Sequence, residues 1–161
     1  MDIGMIVFSH TGNTHLVAQM LRQKLSAAGH NVSYERLQVV GGYDPARAGQ
    51  RPEEIRFEAL PDLGRHDRII FGSPVQGFSL SPVMIKYLNE VPSLANKEVA
   101  FLVTEAFPYG WMGGNRAIRQ MTTICESKGA AVRGSGLVNW MRRSRDRQIE
   151  EVTDRLSTVF V

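Results

Sequence analysis

The residues with the clearest chemical potential stand together near the start of the chain, in Ser9-His10-Thr11-Gly12-Asn13-Thr14. The run offers four hydroxyl or amide side chains, and its glycine lets the backbone come close to a ligand. An apolar segment precedes it and an amphipathic one follows, which sets it between a strand and a helix. The helix start would add unbonded N–H groups and the positive end of a dipole, so the run is a phosphate cradle in outline. It has neither the Gly-Lys-Ser/Thr of a nucleoside-triphosphate loop nor the three-glycine spacing of a dinucleotide fold. A monophosphate therefore suits it better than ATP or NAD. The bland alternative is a polar turn that caps the helix and binds nothing.

Other chemistries are excluded by what the chain lacks. Its single cysteine, Cys125, rules out an intrachain disulfide framework and any Cys-based zinc or iron–sulfur site. His10, His15, His30 and His66 show no metal spacing with one another or with acids. No apolar run approaches the roughly 18 residues of a membrane span, and the N-terminus lacks the features of a signal peptide. At 161 residues, 43% hydrophobic and 22% charged, the composition is that of one folded domain spanning 1–161, expected in the cytoplasm.

The elements that must position the cradle alternate along the chain. Apolar runs mark strands at Ile3 to Phe8, Asn31 to Val39, Asp67 to Gly72, Lys97 to Thr104 and Ala131 to Val138. A first helix carries Leu16, Val17, Met20, Leu21 and Leu25 on one face and stops at Gly29. Ser81 and Pro82 open a second, with Met84, Tyr87, Leu88 and Val91 inward. A third runs from about Gly114 to Gly129 with Ile118, Met121, Thr122 and Cys125 in line. Ser144 caps a last one that buries Ile149, Val152, Leu156 and Val159. Strands alternating with helices mean a parallel sheet with helical crossovers. Val40 to His66 breaks the pattern with its glycines and prolines, and only Asp44-Pro45 and Pro61-Asp62-Leu63 suggest short helix starts. In such sheets ligands bind at the carboxyl ends of the strands. Ser9 to Thr14, Ser73 to Ser79 and Thr104 to Asn115 occupy that edge.

Ile6-Val7-Phe8-Ser9-His10-Thr11-Gly12-Asn13-Thr14, with Ala18 and Leu21 on the helix, resembles the phosphate-loop signature of the flavodoxin family. One slot departs, where Val7 stands in place of the usual aromatic. The resemblance covers nearly the whole chain, is strongest in the three loops and weakest from Val40 to His66. It implies an α/β three-layer doubly wound sandwich with a five-stranded parallel sheet in the order 2-1-3-4-5, of the short-chain type. It also implies FMN as cofactor, with Ser9, His10, Thr11, Gly12, Asn13 and Thr14 around the phosphate. Pro74, Val75, Gln76, Gly77 and Phe78 resemble the loop that meets the reactive face of the flavin. Flavin N5 gains a proton on reduction, and Gly77 is the candidate for a peptide that turns over to present a carbonyl there. Phe78 either covers a ring edge or packs nearby. Thr104, Glu105, Ala106, Tyr109, Trp111, Gly113 and Gly114 belong to the third loop, which resembles the family's cover over the pyrimidine edge. The resemblance implies Tyr109 or Trp111 as its stacking partner; the alternative is a loop folded on its own hydrophobic side chains.

Glu105 is the one acid in these loops, either tuning the flavin electrostatically, hydrogen-bonding its ring atoms or simply exposed. Cys125, on an apolar stripe, reads as a small core residue. A receiver domain would need acids where Ser9 and Ser73 stand. The function implied is FMN-based electron transfer, without a catalytic side chain and without metal. The alternative is an FMN-dependent NAD(P)H reductase of quinones or similar acceptors, and a third reading is a flavin-free interaction module. Redox proteins or NAD(P)H are the partners, with neither nucleic acid nor membrane. The net charge of +3 differs from the acidic character usual in flavodoxins. Arg142, Arg143, Arg145 and Arg147 cluster in a way that suits phosphate, an acidic protein, nucleic acid or plain solvent, although a net charge of +3 does not by itself make a nucleic-acid-binding protein.

Overall fold

The first strand shows how the layers arise. Along β1 (Asp2–Val7), Ile3, Met5 and Val7 point to one side of the sheet while Ile6 points to the other, and both sides are buried. A strand apolar on both faces belongs in the middle of a parallel sheet. This computed structural model describes residues 1–44 and 51–161. After β1 come α1 (Asn13–Ala27), β2 (Asn31–Arg36), β3 (Arg68–Gln76), β4 (Ser79–Leu80) and α2 (Pro82–Glu90). They are followed by β5 (Glu98–Glu105), α3 (Gly114–Ser127), β6 (Ala131–Asn139) and α4 (Arg145–Ser157). The sheet order is β2-β1-β3-β5-β6, with every neighbouring pair parallel. The two-residue β4 pairs antiparallel with the end of β3. Setting that hairpin aside, the five parallel strands have the order the resemblance implied.

Two apolar layers flank the sheet. Val17, Ala18, Leu21 and Leu25 of α1 join Ile149, Val152 and Leu156 of α4 against Ile3, Met5, Ile70, Ala100 and Leu102. On the other face Val83, Met84, Tyr87 and Leu88 of α2 and Ala117, Met121 and Cys125 of α3 cover Ile6, Ile69, Phe71, Val99 and Phe101. Each fully buried side chain of this size contributes roughly 1.5–3 kcal/mol. Ser81 caps α2 as the sequence suggested, its Oγ accepting from the Val83 N–H at 3.3 Å.

Several expectations need correction. Leu16 is 50% exposed, one position off the apolar stripe of α1. Ser144 precedes α4, but its side chain caps no backbone group and accepts from Gln148 Nε2 instead. Pro61 to Leu63 starts no helix, and the Asp44-Pro45 start runs into residues outside those described. Between β2 and β3 the described residues hold a single 3-10 turn at Pro52–Glu54 and an isolated bridge between Val39 and Phe57. Buried Ile55 and Leu63 from this irregular segment seal the sheet face where a crossover helix was sought.

Candidate functional site

The phosphate-loop candidate is shaped by its glycine. Gly12 takes φ 98°, a left-handed conformation that turns the chain from β1 into α1. The Leu16 N–H bonds to the Gly12 carbonyl at 2.9 Å and the His15 N–H to Ser9 Oγ at 3.1 Å. The N–H groups of Asn13 and Thr14, at the very start of the helix, have no acceptor among the described residues. A Cβ built on Gly12 would meet nothing within 4 Å, so the cradle is open. His10 and Thr11 are exposed and Asn13 half-buried. Thr14 faces inward instead, its Oγ1 lying 2.7 Å from Thr104 Oγ1. Arg36, ending β2, donates to the Ser9 carbonyl at 3.2 Å. Burial and then the Arg36 charge lower the His15 pKa, and its Nδ1 lies 2.7 Å from the Tyr34 hydroxyl.

The second segment is a tight hairpin. Gly77 and Phe78, at φ 61° and 60°, form a two-residue turn between β3 and β4, and positive φ at both central positions is the type I′ geometry. That conformation is easy for Gly77 and costs Phe78 roughly 1–2 kcal/mol. Phe78 is nevertheless 52% exposed, its ring stacked on Phe107 at 5.1 Å and 9°. Gln76 accepts from the Ser81 hydroxyl, and the Ser81 N–H reaches the Pro74 carbonyl at 3.3 Å. Gln120 of α3 holds the other side, its Oε1 accepting from Leu80 N at 2.9 Å and Ser79 Oγ at 3.0 Å. Pro74 and Val75 lie within β3, where Pro74 pairs with Thr104 and Val75 with Leu80.

The third segment is anchored by a buried acid. Glu105 is 2% exposed, which removes the exposed-acid alternative. Its Oε2 accepts from the Gly114 N–H at 3.0 Å and its Oε1 from Asn139 Nδ2. Burial raises its pKa, and these two donors offset part of that rise. Asn139 also donates to the Phe107 carbonyl at 3.1 Å. Gly113 and Gly114 are buried, and a Cβ on Gly114 would strike Leu137 at 2.6 Å. Ala106, Tyr109 and Trp111 are exposed; the last two rings stack on each other at 5.9 Å and 7°.

Contacts therefore bring all three segments to one edge: Thr14 with Thr104, Phe78 with Phe107, and Gly113 against Phe78. Sequence reasoning missed Asn139 and Gln120. Asn139 is a buried polar residue at the carboxyl end of a strand, a position that could have flagged it. Gln120 carries no comparable signal. The Cys125 thiol is fully buried, and burial pushes its pKa up to about 12, which suits an inert core residue. No cluster of His, Cys, Asp or Glu fit for a metal occurs among the described residues, nor any helix long and apolar enough to cross a membrane.

Comparison with solved structures returns flavodoxins. Oxidised flavodoxin 1 from Bacillus cereus superposes with TM-score 0.67 at 16% identity, covering 99% of this chain and 97% of its own. Oxidised flavodoxin 2 from the same organism gives 0.67 at 20%, covering 99% and 97%. A flavoprotein from Lactobacillus acidophilus, solved in complex with FMN, gives 0.66 at 16%, covering 94% and 98%. These likenesses establish the flavodoxin-like fold. No curated protein matches by sequence. A family model for NADPH-dependent FMN reductases matches residues 1–142, a span that takes in all three loops and every described strand of the sheet. The match agrees with FMN as the cofactor, and the chain belongs to that family.

Proposed function

We propose that this protein binds FMN at the carboxyl edge of its sheet and passes electrons between the flavin and a redox partner. The observation that carries the reading is the open cradle at Gly12, with unbonded N–H groups at the start of α1, joined through Thr14 and Thr104 to the third loop and through Phe107 and Phe78 to the second. The donor set fits a phosphate monoester: backbone N–H groups with Ser9, Thr11 and Asn13 beside them, and no carboxylate in the run. Thr14 serves the site through its backbone, while its hydroxyl locks the loop to β5. Gly77 supplies a peptide free to turn, since a Cβ there would meet open space. Tyr109 and Trp111 offer aromatic faces to an isoalloxazine ring, and Glu105 fixes the loop that carries them. FMN supplies the redox chemistry when bound, and the protein supplies binding, access and electrostatics.

A second reading, reduction of FMN by NAD(P)H in the protein itself, is favoured by the family match over residues 1–142. An anaerobic visible spectrum of the FMN-loaded protein, before and after NADPH, separates the two. Flavin bands that persist with NADPH but bleach with dithionite support the carrier. Rapid bleaching by NADPH alone supports the reductase, and a protein that takes up no FMN overturns both.

A further inference from the structure

Four arginines gather where β6 meets α4, at the same edge as the flavin loops. The Trp140 N–H donates to the Glu105 carbonyl at 2.8 Å and the Met141 N–H to the Ala106 carbonyl at 3.2 Å. The segment carrying Arg142 and Arg143 is thus laid directly alongside the third loop. Neither arginine has a carboxylate within 4.0 Å among the described residues. Arg145 lies over the Trp140 ring at 4.9 Å and reaches Asp146 only at 3.7 Å; Arg147 meets Glu151 at 3.8 Å. The acids of α4 that are better engaged, Glu150 and Asp154, are bound by Lys24 further along the helix, at 2.8 and 2.6 Å.

This arrangement works against the stability of α4. Helix N-termini favour negative charge, so cations gathered there are unfavourable. Here Arg142, Arg143, Arg145 and Arg147 flank or occupy the first turn, with Asp146 the one acid among them. The helix dipole and the arginines add into one positive field. Apolar surface accompanies the charge: Met141 is 69% exposed and Trp111 76%, with Tyr109 and Phe107 also exposed. Exposed aromatics and Met beside Arg form the composition of a protein interface.

We propose that this edge, from Trp111 to Arg143, is a docking surface for an acidic redox protein, with a carboxylate-rich rim facing Arg142, Arg143, Arg145 and Arg147. The inference rests on the FMN reading above and adds the partner's chemistry to it. Positive charge argues for the partner's sign, and the exposed Met141 with the apolar side chains of the adjoining third loop argues for a protein rather than a free anion. One electron crosses between the partner's redox centre and the flavin; one centre is oxidised, the other reduced, and no bond is broken. The charged rim sets the encounter rate, and the aromatic patch beside the flavin loops sets the contact.

The test uses the FMN-loaded protein, an acidic [2Fe–2S] ferredoxin as probe, and basic cytochrome c as control. Stopped-flow electron exchange with the ferredoxin should fall on the order of tenfold as ionic strength rises from about 10 to 200 mM, while exchange with cytochrome c does not fall. R142E/R143E should lose on the order of tenfold in the ferredoxin rate at low salt, with FMN affinity unchanged, because both side chains are exposed and outside the cradle. Equal rates for wild type and variant, or faster exchange with cytochrome c, overturn the proposal. So does a variant that raises KM for NADPH while leaving ferredoxin exchange intact, since the patch then serves a nicotinamide cofactor's phosphates. FMN titration of the wild type comes first. If no FMN binds, the function reading fails, and docking is judged separately from amide shifts of the ferredoxin-titrated protein: shifts at Trp111 and 140–147 sustain it, and their absence ends it.

Discussion

Both helices that open onto the site begin at a glycine of positive φ with no side-chain cap, Gly12 at 98° before α1 and Gly113 at 125° before α3. Their surroundings are opposite. A Cβ on Gly12 would meet nothing within 4 Å. One on Gly113 would strike the Phe78 backbone and Val75 Cγ1, both at 2.7 Å. The same backbone device thus makes an empty cradle in one place and a packed joint in the other. The empty one suits a ligand, because unbonded N–H groups facing open space are costly to enclose without one. The packed one fixes the aromatic loop against the hairpin through protein contacts alone.

The sharpest way to break this contrast is to add one methyl at each glycine. Gly113→Ala forces both a strained φ and a clash with backbone, which should cost about 3–5 kcal/mol of unfolding free energy in urea titration. A cost under about 1 kcal/mol would mean the joint is looser than its geometry. Gly12→Ala carries only the conformational strain, about 1–2 kcal/mol. Its larger effect should be on the ligand, because the methyl enters the cradle. FMN affinity should drop at least about tenfold, worth about 1.4 kcal/mol. Riboflavin, which has no phosphate, should bind equally to both forms. A parallel loss for riboflavin would place the phosphate elsewhere.

This contrast also marks where sequence was legible. Apolar patterning, as continuous runs for strands and 3.6-residue spacing for helices, located the five parallel strands and four helices of the described residues. It failed between β2 and β3, where Ile55 and Leu63 reach the core singly from irregular backbone and leave no period to detect. The three loops could be found from residue type and position at strand ends. The inward turn of Thr14 could not, because its partner Thr104 lies 90 residues away. The burial of Glu105 depends in the same way on Asn139, 34 residues on. The hairpin turn was hidden because phenylalanine is an uncommon residue at positive φ.

Glu105 gives the packed end a pH signature of its own. Burial raises its folded pKa above the ordinary value of 4.5. Between the unfolded and folded pKa values the native state holds more proton than the unfolded one, so stability falls as pH rises through that window. The contribution is fully present below the unfolded pKa and is lost above the folded one. Glu105→Gln should remove this slope while keeping a carbonyl oxygen for the Gly114 N–H. Urea midpoints for wild type should decline relative to the variant as pH rises from about 4.5, the ordinary carboxylate pKa. Parallel curves would show that the acid titrates normally despite its enclosure.

The smallest effect, and the most discriminating, concerns Phe78. Replacing it with glycine releases roughly 1–2 kcal/mol of backbone strain. The same change removes the stack on Phe107, worth about 0.5–1.5 kcal/mol, together with the burial of a ring already half in solvent. The terms oppose each other, so Phe78→Gly should alter stability by less than about 1 kcal/mol in either direction. Strain that stability does not require is kept where function needs it. If the variant is as stable as wild type yet binds FMN more weakly, the ring at positive φ serves the flavin. If FMN affinity is unchanged as well, Phe78 belongs with Phe107 and Trp111 to the surface that meets a partner. A loss well above about 1 kcal/mol would make it a structural wedge between the hairpin and the third loop, extending the packed joint at Gly113 outward to the surface.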